Sequence, residues 1–160
     1  MLSRARKLGI EAEGRYAAES ELVFWEEYAA SFALRREAYR HLRAAEKQIV
    51  EQTQAKLAAL YPKFFQQGNQ DLSTKWKTDT LRVLRHCATA VLTADSDRFR
   101  ENFLVWFQTL MQAFAMQEQC NRTYELLQTE VKRLLPPAEA TLVCEALELS
   151  RQILGETAQR

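Results

Sequence analysis

Five residues of chemically useful types share one stretch of the chain: Trp76, Asp79, Arg82, Arg85 and His86. Asp79, Arg82 and His86 are separated by steps of three and four, so a helix brings them to one face. A carboxylate can pair with ring N–H groups, guanidinium groups can hold carboxylates, and an indole can wall a flat ligand. That combination suits a non-covalently held tetrapyrrole, whose ring nitrogens need an anion and whose propionates need cations. His86 adds a second option, the axial ligand of a haem iron. The same residues also describe an ordinary solvated helix face with local ion pairs, and the sequence leaves these readings open. The other histidine, His41, lies between Arg40 and Arg43 and reads as exposed.

Other chemistries find little support. Cys87, Cys120 and Cys144 are scattered and odd in number, which fits neither a zinc site nor a disulfide framework. Their bland reading is three buried thiols in a reducing setting. There is no GxSxG, no phosphate-cradling glycine loop and no HExxH, so no catalytic residue is assigned and the chain reads as a non-enzyme. With 22 Lys+Arg against 21 Asp+Glu, charge makes no case for nucleic acid or an anionic membrane as partner. No apolar run is long enough to insert into a membrane, and no targeting segment follows Met1–Lys7.

The elements that must position these residues read as helices throughout. Four Gly and three Pro in 160 residues leave few turns. A first helix is expected over Ser3–Ala17, and a second from Glu19 with Ser20 as its cap, carrying Leu22, Trp25, Ala29 and Phe32. It passes with a slight break into a long helix, about 34–60, whose inward face is Ala38, Leu42, Ala45, Ile49, Leu57 and Leu60. Tyr61-Pro62 ends it. Gln66-Gln67-Gly68-Asn69-Gln70 forms a loop, and Asp71 or Ser73 caps the helix that carries the Trp76–His86 group. Asp95-Ser96-Asp97 interrupts that helix and opens the next. The stretch from Phe99 to Met116 is apolar around most of its circumference, which predicts a central helix with Phe99, Phe103, Phe107 and Phe114 in the core. A helix over Gln117–Leu135 ends at Pro136-Pro137, and the last helix runs to Gly155. About seven unequal helices favour an all-α, globin-like fold over a regular four-helix bundle.

Three stretches resemble the phycobilisome protein family. The first holds Glu11, Arg15-Tyr16, Glu21-Leu22, Tyr28, Ser31, Arg35, Ala38 and Ile49-Val50. The second is Leu84-Arg85 followed by Ala94-Asp95. The third runs from Phe103 to Ala115 and through Leu134-Leu135-Pro136-Pro137-Ala138-Glu139-Ala140 to Ile153-Leu154. The resemblance covers nearly the whole chain. It implies one domain, with an N-terminal helical hairpin over residues 1–33 and a globin core over residues 34–160.

The resemblance also exposes a departure. The family attaches a bilin by a thioether to the cysteine of a Cys-Leu-Arg-Asp motif. Counting back from Leu84-Arg85 places Trp76 at that cysteine and Asp79 at that aspartate. Sliding the frame to Leu81-Arg82 places Thr80 and Val83 there instead. Both frames lose the nucleophile, so no covalent bilin is expected at this site. The preceding loop also reads as shortened. In the resembled family an N-terminal acid pairs with an Arg of the partner subunit, and Glu11 and Arg85 match those positions. Glu11, Arg15, Arg85 and the adjacent Phe24 and Trp25 are therefore the expected interface. The partner is a second copy or a related phycobiliprotein-like subunit, and the setting is the cytoplasm, at the thylakoid surface through phycobilisomes. The leading expectation is a non-enzymatic protein that acts by association in assembly, regulation, turnover or as a structural subunit. The alternative is a carrier or sensor that holds a bilin or haem non-covalently at Trp76, Asp79, Arg82 and His86.

Overall fold

A computed structural model describes residues 1–156. It has the expected all-α, globin-like fold. The helices are α1 (Leu2–Glu11), α2 (Glu19–Ala30), α3 (Phe32–Leu60), α4 (Ser73–Thr93), α5 (Ser96–Phe99), α6 (Val105–Ala113), α7 (Gln117–Leu134) and α8 (Pro137–Leu154). A π-helical turn, Arg100–Leu104, joins α5 to α6.

The core forms where α3 packs on α4, α7 and α8 and where α7 packs on α8. Its most enclosed side chains are Leu42, Ile49 and Leu57 of α3, Leu84 of α4, Leu127 of α7 and Leu147 of α8. They follow the spacing that one helical face requires, and each buried aliphatic contributes about 1.5–3 kcal/mol. Between α3 and α7, the carboxylate of Glu130 is fully enclosed. It is met by Lys56 and by Arg133, which donates at 2.9 Å. Burial alone would raise its pKa, but those two cations hold it below the usual value.

The expected breaks occur at their chemical causes. Helix α3 stops before Pro62, and Pro137 opens α8. Asp71 Oδ1 accepts the Ser73 N–H at 2.8 Å at the start of α4. The glutamine-rich loop closes as a tiny antiparallel hairpin, Gln66–Gln67 with Gln70–Asp71, around Gly68 at φ 58°. Three expectations need correction. Helix α1 ends at Glu11, short of Ala17, because Gly14 turns the chain at φ 78°. Ser20 does not cap α2; Glu21 reaches back and accepts the Ala18 N–H at 2.6 Å.

The third correction concerns the apolar stretch from Phe99 to Met116. It is broken into α5, the π turn and α6, and only Phe99, Phe103 and Leu104 are buried. Helix α6 buries no residue fully, and Val105, Trp106 and Phe114 are about half exposed. It is a lateral wall, apolar on its inner face because it borders a cavity and apolar outside as well.

Helices α1 and α2 are tied to the end of α4 at one corner. Arg35 is 3% exposed and donates to the carbonyls of Tyr28 in α2 and Leu92 in the last turn of α4, at 2.6 and 2.5 Å. Its guanidinium lies over the Tyr28 ring at 4.4 Å. Asp95, just past α4, accepts the Ser3 N–H and hydroxyl at 2.8 and 2.6 Å and so ties down α1.

Candidate functional site

A cavity of about 290 Å³ opens where α4 faces α6 and α7. Helix α4 contributes Trp76, Asp79, Thr80 and Val83. Helix α6 contributes Phe107 and Met111, with Phe114 just beyond its end. Helix α7 contributes Gln119, Cys120, Thr123 and Tyr124. The Gln67–Gln70 turn and Lys75 border the mouth.

The indole of Trp76 is held in place. Its N–H donates to Thr123 Oγ1 at 3.0 Å, and its ring meets Phe65 edge-on at 5.3 Å. Asp79 lies 3.8 Å from Arg82, one turn along the exposed side of α4. Lys75 stands over the Phe114 ring at 5.4 Å and is the one cation on the cavity wall among the described residues. The Tyr124 hydroxyl is enclosed, and burial, with the nearby Cys120, Cys87 and Asp79, pushes its pKa well above the usual value. The side-chain oxygen of Gln119 is buried without a hydrogen-bond partner.

The four residues expected to line a tetrapyrrole pocket divide. Trp76 and Asp79 line the cavity; Arg82 and His86 do not. The His86 imidazole instead stacks on Phe103, with ring centroids 3.9 Å apart. Burial there, followed by the charge of Arg82, lowers its pKa. Its ring is not presented to the cavity as an axial ligand would be. The aromatic stripe also divides: Phe99 and Phe103 are core, while Phe107 and Phe114 are wall. Sequence reasoning missed Lys75, Gln119, Thr123 and Tyr124. All but Lys75 come from α7, which carries no motif of its own; only its packing against α4 reveals them.

The expected interface residues also differ in placement. Arg15 forms a bidentate pair with Glu21 at 2.8 and 2.9 Å, and that pair, then the Ala18 N–H, hold the Glu21 carboxyl down to about 2. Glu11 pairs with Lys7 at 3.7 Å, and Arg85 with Glu46 of α3 at 2.8 Å. Phe24 is buried within the hairpin under Arg4, whereas Trp25 is 41% exposed.

Trp76 and Thr80, the two positions at which the resemblance places the tethering cysteine, both lie on the cavity wall. The cysteine on the cavity wall, Cys120, belongs to α7, and burial pushes its thiol up to about 12. A thiol with so little thiolate is a poor nucleophile. Cys87 is also buried and pushed up to about 12, with its Sγ 3.8 Å from the Ser150 hydroxyl. Neither of these two thiols offers a ready thiolate at neutral pH. Among the described residues, no cluster of His, Cys, Asp and Glu could hold a metal ion, and no helix is long and apolar enough to cross a membrane.

No curated protein matches the chain. The family described as Phycobilisome protein matches residues 8–154, from the end of α1 to the last residue of α8. That span takes in the last turn of α1, all of α2 to α8 and the cavity, and the chain belongs to the phycobilisome protein family.

Proposed function

We propose that this chain is a non-enzymatic phycobilisome-related subunit that acts by protein association through its N-terminal hairpin and carries no thioether-linked bilin. The observation that supports this reading is α2. Its apolar residues run around the whole helix, yet Phe24 is the one it buries. Leu22, Val23, Trp25 and, just beyond, Phe32 and Leu34 are each 40–48% exposed. A short helix apolar on several sides needs a second surface against it. A family built on association supplies such a surface, either a second copy or a phycobiliprotein-like subunit at the thylakoid surface. Trp25 with Leu22 forms the apolar centre of the contact, and Glu11, Arg15 and Arg85 form its charged rim.

A non-covalent tetrapyrrole is the weaker reading. Trp76 would be its wall and Asp79 its anion, but Lys75 alone faces its propionates.

The deciding measurement is native mass spectrometry of the chain alone and mixed with antenna subunits. A dimer or a one-to-one complex is expected. Leu22→Glu with Trp25→Glu abolishes it and lowers the melting temperature only modestly, because both side chains are about half exposed and Trp25 gives up only its edge contacts with Phe24 and Tyr28. Protein made alongside bilin and its lyases shows no zinc-enhanced fluorescence on a denaturing gel. A chain that stays monomeric and ignores antenna subunits refutes association, and a fluorescent band refutes the missing tether.

A further inference from the structure

The cavity has walls that differ from those a linear tetrapyrrole requires. We propose that it is a binding site for a compact, uncharged aromatic molecule that carries an N–H or O–H donor.

Size is the first argument. At about 290 Å³, the cavity lies at the lower end of small-molecule pockets, which span roughly 300–1,000 Å³. A one- to three-ring ligand fits that space, whereas a four-ring chain with its side arms would have to extend out of it. Trp76 does not yield readily, because its indole is pinned by the hydrogen bond to Thr123 and the edge contact with Phe65.

Wall chemistry is the second argument. Phe107 and Phe114 offer ring faces and edges, and Met111 and Met116 offer thioethers that adapt to flat rings. The two charged groups on the wall, Asp79 and Lys75, are of opposite sign. Such a wall carries no net charge for a ligand to match.

The unmet acceptor is the third argument. The Gln119 side-chain oxygen is buried, lacks a partner and belongs to a cavity-lining residue. Buried acceptors are almost always paired, and those that are not call for an explanation. A ligand N–H or O–H supplies the missing donor.

Fluorescence titration of the full chain with N-phenyl-1-naphthylamine tests the proposal. This probe is an uncharged arylamine whose emission rises in apolar surroundings. Saturable one-to-one binding is expected, with competition by 1-naphthol and none by biliverdin. Gln119→Met keeps the size of the side chain and removes the acceptor, so it weakens the probe about tenfold. Thr80→Phe fills the cavity and removes binding; if that variant fails to fold, Gln119→Met decides alone. Stoichiometric displacement by biliverdin would overturn the proposal in favour of a tetrapyrrole. Absence of saturable binding, or binding indifferent to both substitutions, would overturn it outright. The association reading is untouched by any of these outcomes, since its readout is the mass of the complex and its residues lie on the hairpin.

Discussion

Arg35→Met is the sharpest test of how the hairpin is held. The substitution keeps a long apolar stem and deletes the guanidinium fork. Leu92 lies in the last turn of α4, where carbonyls have no partner within the helix. Losing the Arg35 donor at 2.5 Å leaves that carbonyl unmet, at a cost of about 1–3 kcal/mol. The lost cation at a helix C-terminus adds roughly 0.5–2 kcal/mol, and the lost stacking on Tyr28 about 0.5–2 kcal/mol. The Tyr28 carbonyl suffers less, because the Ser31 hydroxyl also donates to it at 3.0 Å. Relief from burying a guanidinium with no carboxylate beside it offsets part of the sum. The expected net loss is about 2–4 kcal/mol, measured by equilibrium urea unfolding. Hydrogen exchange should show the largest loss of protection in α2 and the last turn of α4. Arg35→Lys restores the charge without the fork, so it should recover less than half. A loss below about 1 kcal/mol, or exchange that rises evenly across the chain, would refute the idea that Arg35 couples hairpin to core.

Two further predictions concern titration. Iodoacetamide at mildly alkaline pH should leave Cys87 and Cys120 unmodified in the folded protein and label them in urea, because burial pushes both thiols up to about 12; mass spectrometry reads the adducts. Burial alone would raise the Asp95 pKa, but the Ser3 hydroxyl and N–H, aided by the chain terminus and the Arg98 N–H, lower it below the usual carboxylate value. A depressed folded-state pKa stabilises above the unfolded value, and that stability disappears as pH falls through the folded value. Exchange protection in α1 should therefore be lost on acidification, and Asp95→Asn should flatten that dependence; an unchanged acid profile in Asp95→Asn would remove Asp95 from the latch.

Much of the fold could be read from the chain because each break has a local cause. Pro62, Pro137, Asp71 and the Ala94-Asp95 corner act on their own neighbours, and helical spacing identifies the α3 core face from Ala38 to Leu57, although Leu60, expected inward, is exposed where the helix runs out past the core. The site was less legible because a cavity is a relation between helices. Trp76 and Asp79 were found because they share α4 with the resembled motif. Gln119, Thr123 and Tyr124 lie on α7 at spacings that look like any packed helix face. His86 was misplaced for a related reason. Helical spacing sets it near Arg82, but the attraction of a ring face lies across the gap in Phe103, which sequence distance conceals. Helix α6 misled through composition, since apolar residues on all sides signal burial only when protein covers all sides.

Under the proposed reading, in which Trp76 takes the place of the tethering cysteine, the fold has to accommodate an indole at the head of α4. Trp76 is bulky and polar at one atom, and both properties are accommodated: Thr123 accepts its N–H and Phe65 meets its ring. The best-buried side chains, from Leu42 to Leu154, join α3, α4, the π turn, α7 and α8 and lie outside the cavity wall, apart from Val83. Most of the fully enclosed aliphatic core thus lies away from the cavity. A chain so divided tolerates substitution along the cavity wall while the core holds, and under the readings proposed above the aromatic wall of α6 is then free to accept a smaller guest.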